Sequence, residues 1–329
     1  MDKKTLILTN SQVQRLVDMP SVLKVIENAF MLYGKKLVQM PAKIYLHLDK
    51  YAGDFRAMPA YIEGMDACGI KWVNVHPENK KYGLPSVMAV IILSDPKTGF
   101  PLCVMDATLL TNLRTGAAGG VAAKYLARED SSIVGLVGCG AQARTQLLAL
   151  KELFRIKLVY VWGNKLRPAK KFLKDTRRFG LNMVIKDKIS DCTKQADIVV
   201  TTTPVRKPIV ESEWIRDGTH INAIGADAKG KEELKPQLLK RAKIVVDDWQ
   251  QASHSGEINV ALSRGIITKK DIHATLGEVL IGKKKGRVSQ KEITIFDSTG
   301  LAICDVAVAK LVYKRARKYK LGFWVGILK

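Results

Sequence analysis

The sequence has no pair of cysteines at C-x-x-C spacing. Its five cysteines, Cys68, Cys103, Cys139, Cys192 and Cys304, are scattered and odd in number. Neither a zinc knuckle nor a disulfide framework is expected. The histidines at 47, 76, 220, 254 and 273 lack metal-ligand spacing as well, so no metal site is expected. No apolar run approaches a membrane span. The opening MDKKTLILTNSQ holds only a brief LIL segment, too short for a signal-peptide core. A soluble, cytoplasmic protein without a membrane partner is the expectation. Acidic residues are few against basic ones, 31 against 54, for a formal charge of +23. Such a charge could attract nucleic acid. The basic clusters at 283–285 and 310–320 lack interleaved aromatics, however, and no helix-turn-helix or finger spacing appears. The charge reads as a solvated surface that also draws in acidic small molecules, with no nucleic-acid partner.

What is present suffices for two domains or one large one: 329 residues, 47% of them apolar. In the run from Ser11, Val22, Ile26, Ala29, Phe30 and Tyr33 recur at helical spacing, and Gly34 marks a stop. AKIYLHL, RAMPAYI, KWVNVH, SVMAVIILS and PLCVMDA then read as strands in an antiparallel or mixed sheet. From TNLRTGAAGG onward the character changes. SSIVGLVG, KLVYVW, NMVIK, ADIVVTTT, HINAIGA and AKIVVDD are strands, with helical patterns between several of them. Strands alternating with helices imply a parallel sheet covered on both faces. DVAVAKLVYKRARKYK carries an apolar stripe and reads as a closing helix that returns to the first domain. The fold class expected is α/β: a Rossmann-type dinucleotide-binding domain plus an α+β domain. The expected boundaries are residues 1–115, 116–302 and 303–329.

VGLVGCGAQA supplies the sharpest local signal. Gly138, Gly140 and Ala143 follow a strand and open a helix, the context of a diphosphate-binding turn. Gly138 permits the turn, Gly140 admits backbone to the pyrophosphate, and Ala143 keeps helix and strand close. The diphosphate would sit at the helix N-terminus near Ala141, Gln142 and Arg144. An acid normally ends the second strand of such a domain and binds the ribose of NAD. VYVWGNKLR has none; Gly163, Asn164, Lys165 and Arg167 stand there instead. Such a turn tolerates the 2′-phosphate of NADP, and backbone contacts still accept NAD, so both cofactors stay open. Thr201, Thr202 and Thr203 end a further strand, where hydroxyls either face a ligand or cap the next turn. Asp227 ends the INAIGAD strand. Among basic residues, Lys43, Arg56, Lys71 and Arg114 are candidates. Arg56 and Arg114 suit a carboxylate clamp. Lys71, in a partly apolar strand, suits proton movement at a lowered pKa. His76 is a weaker candidate for lining the cleft.

KWVNVHPEN, GLPSVMAVIILSDPKTGFPLCVMDATLLTNLRTGAAGG, GLVGCGAQA and FDSTGLAICD resemble, in order, the ornithine cyclodeaminase and mu-crystallin family. MPAKIYL, GDFRAMPA, INAIGADAKGKEEL and KIVVDDWQQASHSGEINVA resemble its archaeal alanine dehydrogenases most. The resemblance implies a cytoplasmic homodimer in which the α+β domain binds substrate and forms the dimer. It implies reversible oxidation of L-alanine to pyruvate and ammonia with NAD or NADP. Lys71 and Asp227 would be catalytic, with Lys43, Arg56 and Arg114 on the substrate. Lys71 and Arg114 would anchor its carboxylate. The cofactor would be held by Gly138, Gly140, Ala141, Gln142, Ala143, Asn164, Lys165, Thr201, Thr202, Thr203 and Ser298. Conversion of ornithine to proline, as by the family's cyclodeaminases, is the nearest alternative; Lys43 speaks against it, since cyclodeaminases typically carry arginine there. A mu-crystallin-like ketimine reductase or NADPH-dependent ligand carrier is another.

Overall fold

The computed structural model describes residues 4–328. The chain begins with β1 (Thr5–Leu8), α1 (Asn10–Leu16), α2 (Met19–Gly34), β2 (Val38–Gln39), β3 (Ile44–Leu48), β4 (Gly53–Ile62), β5 (Ala67–Val75), β6 (Val87–Ser94), β7 (Pro101–Asp106) and α3 (Thr108–Leu126). It continues through β8 (Ile133–Val137), α4 (Ala141–Leu153), β9 (Leu158–Trp162), α5 (Leu166–Thr176), β10 (Met183–Ile185), α6 (Ile189–Thr193), β11 (Ile198–Thr201) and β12 (His220–Ala223). Then come α7 (Pro236–Arg241), β13 (Ala242–Val246), α8 (Trp249–Ser255), α9 (Asn259–Ser263), β14 (Ile272–Thr275), α10 (Leu276–Leu280), β15 (Ile293–Asp297), α11 (Ala302–Lys318) and β16 (Phe323–Val325). Two compact units result. One joins residues 4–114 with residues 301–328; the other is Thr115–Gly300. Among the described residues no helix is long and apolar enough to cross a membrane.

The first unit is α+β. Its sheet runs β16-β1-β7-β6-β5-β4-β2, with β3 on β4. The pairings are antiparallel except β1 with β7. The sheet is mixed because β1, too short to register as more than LIL in the sequence, lies parallel to β7. Period-two alternation sets the faces. Lys71, Val73, Ala89, Ile91 and Leu93 are buried, and α11 packs on β4, β5 and β6. Trp72, Val90 and Ile92 point the other way and are exposed. The expected single amphipathic stretch after Asn10 is two helices. Val17 is extended, and Asp18 caps α2 by accepting from the Ser21 amide, with Pro20 in the first turn. Proline there loses no helical hydrogen bond, which favours a fresh start.

The second unit is Rossmann-type. All eight of its strands are parallel, in the order β10-β9-β8-β11-β12-β15-β13-β14. Strand β8 is apolar on both faces. Val134 and Leu136 of β8 join a core layer with Leu147, Leu150 and Phe172. Val137 joins the opposite layer with Leu238, Leu239 and Ala252. Strand order reverses between β8 and β11, the switch point where ligands bind at the strands' carboxyl ends. β14 and β15 were not distinguished in the sequence; each is a short run inside a loop-rich stretch.

Candidate functional site

The first unit buries two cations against one carboxylate. Lys71, at the middle of β5, faces Met58 and Ile91 across the sheet. Its Nζ lies 2.8 Å from Asp305 Oδ2, and both side chains are almost wholly buried. Arg114, on α3, donates from Nε to Asp305 Oδ1 at 3.0 Å. Asp305 comes from the first turn of α11. One positive charge is therefore left over, in a place where water cannot screen it. Burial drives the Lys71 ammonium down to about 7, against the opposing pull of Asp305, with Arg114 and Lys43 pushing further down. Lys43 is half-buried and lies one residue before β3 rather than inside it. Arg56 is buried and forked onto Asp54, at 2.8 Å and 3.2 Å, and its guanidinium stands over the Tyr45 ring. His76 accepts or donates with Asn74 at 3.0 Å and stands edge-on to Phe55.

In the second unit, β8 delivers the chain into the glycine turn. Gly138 has φ +113°, and a Cβ there would strike Thr202 Oγ1. At Gly140 a Cβ would meet open space. Ala143 is fully buried, close under the sheet. α4 begins at Ala141 without a side-chain cap, so the amides of Ala141, Gln142 and Ala143 face outward as an anion site. The buried Thr202 Oγ1 and Ser298 Oγ have no partner among the described residues. Thr202 lies against the glycine turn and Ser298 follows β15 at the same carboxyl edge of the sheet; two orphaned hydroxyls along that edge fit a nucleotide cofactor, whose polar groups would satisfy them.

The three threonines separate sharply. Thr201 ends β11, whereas Thr202 and Thr203 lie past it. Thr201 Oγ1 donates to Glu233 Oε2 at 2.6 Å; the Thr203 amide and hydroxyl both donate to Oε1 at 2.6 Å. Gly225 adds its amide to Oε2 at 2.9 Å. Glu233 thus clamps the end of β11 to the loop after β12. Its own amide donates to Glu257, and the Glu257 amide donates to Asp297 at 2.9 Å. These buried carboxylates fix the loops at the strands' carboxyl ends. Burial raises the Glu233 carboxyl, and burial together with the Glu233 charge raises Glu257 well above its usual range. Asp227 lies in the clamped loop beyond β12, and Lys231 Nζ contacts its Oδ1 at 2.5 Å.

Past β9, Gly163 is part-buried, while Asn164, Lys165 and Arg167 are exposed. Among the described residues no cluster of three metal-ligating side chains forms.

Lys71 and Arg114 are thus brought together, with Lys43 near enough to act on Lys71 electrostatically. The glycine turn, Thr202 and Ser298 line the carboxyl ends of β8, β11 and β15. Arg56, Thr201 and Thr203 are engaged by acids of their own unit. Sequence reading missed Asp54, Lys231, Glu233 and Asp305. FDSTGLAICD contains Asp305, but nothing local marks it as the partner of two distant cations.

A family model described as the ornithine cyclodeaminase/mu-crystallin family matches residues 3–320. The chain is 54% identical to an alanine dehydrogenase of Archaeoglobus fulgidus, over 97% of each chain. It superposes on a solved archaeal alanine dehydrogenase dimer with bound NAD at a TM-score of 0.95, with 53% identity, covering 99% of this chain and 100% of that one. The Δ1-pyrroline-2-carboxylate reductase of Thermococcus litoralis, solved with NADH and L-proline, superposes at a TM-score of 0.95 with 39% identity, covering 97% and 99%.

Proposed function

The chain belongs to the ornithine cyclodeaminase/mu-crystallin family, and on that premise we propose that it is a cytoplasmic alanine dehydrogenase. It converts L-alanine, water and an oxidised nicotinamide cofactor to pyruvate, ammonium, the reduced cofactor and a proton, and runs the reverse amination. The observation that carries this reading is the buried excess charge of Lys71 and Arg114 over Asp305. An anionic group is what such a place lacks, and a substrate carboxylate supplies it with charge-assisted hydrogen bonds. The unit Thr115–Gly300 is the nucleotide-binding domain and the other unit the substrate domain.

The cofactor, when bound, supplies the two-electron acceptor or donor. The chain supplies position and protons. Lys71 and Arg114 hold the carboxylate, with Lys43 assisting, and Arg56 acts through its fork with Asp54. Asp227, paired with Lys231, accepts a proton from the water that attacks the substrate's imine carbon. The amides of α4's first turn take the diphosphate, and Thr202 and Ser298 the polar groups beyond it. The exposed apolar face of the mixed sheet, with Trp72, Val90 and Ile92, is the dimer surface.

Replacing Asp227 by asparagine should leave cofactor binding intact and lower turnover about 10²- to 10⁴-fold, the usual range for a lost proton-transfer group. Near-normal turnover would remove its role. The activity itself is tested with pyruvate, ammonium and NADH or NADPH, following nicotinamide absorbance. Reduction of a cyclic imino acid is the second reading, because the same cation pair would hold its carboxylate. Δ1-Pyrroline-2-carboxylate in place of pyruvate and ammonium tests it, and ornithine with oxidised cofactor tests the cyclodeaminase reaction. No turnover of pyruvate with ammonium would sink the dehydrogenase assignment.

A further inference from the structure

The turn after β9 says which nucleotide the second unit prefers. Gly163 directly follows β9, the second strand of this unit, at the place where an acid would bind an unmodified ribose. The glycine is enclosed. A Cβ there would come 2.8 Å from Cys139 Sγ, 3.5 Å from the Lys165 carbonyl oxygen and 3.6 Å from Ala169 Cβ. Cys139 belongs to the diphosphate turn itself, so the two turns interlock and an aspartate at 163 would have to displace the thiol. Nearby charge is positive and unspent. Lys165 and Arg167 are exposed and make no ion pair among the described residues. Arg144, by contrast, is committed. It donates to the carbonyls of Cys139 and Gly140 at 3.0 Å and 2.8 Å and to Asp175 at 2.8 Å. The acid beyond the neighbouring strand β10, Asp187, is flanked by Lys186 and Lys188.

We propose that this chain takes NADP(H) in preference to NAD(H), with Lys165 and Arg167 reading the 2′-phosphate and the Gly163–Cys139 contact excluding the acid that would repel it. The inference rests on the cofactor reading above and departs from the similar archaeal dehydrogenase, whose structure holds NAD.

Binding can be read without turnover. Calorimetric titrations of the full chain with NADPH, NADH, 2′,5′-ADP and AMP compare the two ribose forms directly. Two exposed charge contacts amount to about tenfold in affinity, so NADPH and 2′,5′-ADP should each bind about that much tighter than their partners at low salt. The gap should narrow as salt rises. In Lys165→Ala/Arg167→Ala the ratio should collapse towards one, and in Cys139→Ala/Gly163→Asp it should invert. NADH binding as tightly as NADPH overturns the inference and leaves the cofactor reading standing. A ratio that survives in the Lys165→Ala/Arg167→Ala variant overturns the residues assigned to it. Binding of no nucleotide overturns the cofactor reading, and this inference with it.

Discussion

Lys71 is a cation only on conditions, and Asp305 sets them. Desolvation drives the ammonium towards neutrality, and the carboxylate 2.8 Å away holds it back at about 7. The sign follows directly. Below that pH Lys71 is charged and attracts a carboxylate; above it the attraction fades. Pyruvate affinity, measured by calorimetry to avoid the titration of ammonia, should therefore weaken as pH rises through about 7. Asp305→Asn removes the restraining charge and should move that limb to lower pH. A limb that stays in place would show that Asp305 is merely packing. The two cations were legible from residue type and from the surrounding WVN and LRT segments. Their shared carboxylate was not. Arg114 and Asp305 are 191 residues apart, and an aspartate in an apolar helix looks locally like any surface acid. The same holds for Glu233 and Glu257, which only folding reveals as buried clamps.

Between elements, a line of buried polar groups crosses the Rossmann-type sheet. His220 Nδ1 meets Thr294 Oγ1 of β15 at 2.9 Å, and its Nε2 meets Asn222 Oδ1 at 3.0 Å. Asn222 donates to the Gly119 carbonyl of α3 at 3.0 Å and to Gln146 Oε1 of α4 at 3.3 Å. Burial holds the His220 ring neutral, its pKa lowered from 6.5 to about 3. Unfolding lets the ring take up a proton, so stability should fall as pH drops from about 6.5 towards about 3. His220→Gln should cost about 1–3 kcal/mol through imperfect pairing, yet flatten that acid-side decline in urea midpoints. An unchanged slope would clear His220 of responsibility. Strand and helix positions in this unit were largely readable, because buried parallel strands are continuous apolar runs. The fine ends were not. Thr202 and Thr203 continue the β-like composition of ADIVVTTT but lie past the strand, where Glu233 takes over the hydrogen bonding of Thr203.

At the scale of the whole molecule, the outer face of the mixed sheet is out of place on a lone chain. Ile44, Leu46, Trp72, Val90 and Ile92 expose 39% to 65% of their surface, on a protein whose other exposed surface is strongly basic. Carboxylates placed there would be buried and unpaired in a dimer. Val90→Glu/Ile92→Glu should yield folded monomers by light scattering at micromolar concentration, with an unchanged circular dichroism spectrum. A dimer that persists would move the interface elsewhere. The first unit is also the discontinuous one: all of its strands but β16 precede α11, which carries Asp305. On the ribosome this imposes an order. Thr115–Gly300 is contiguous and needs no later segment to complete its sheet, so it can fold before α11 docks. The early sheet must wait with Lys71 bare until the last helix arrives. A purified truncated chain ending at Gly300 should therefore resist protease in its later half and be cut in its earlier one, a polarity opposite to the order of synthesis.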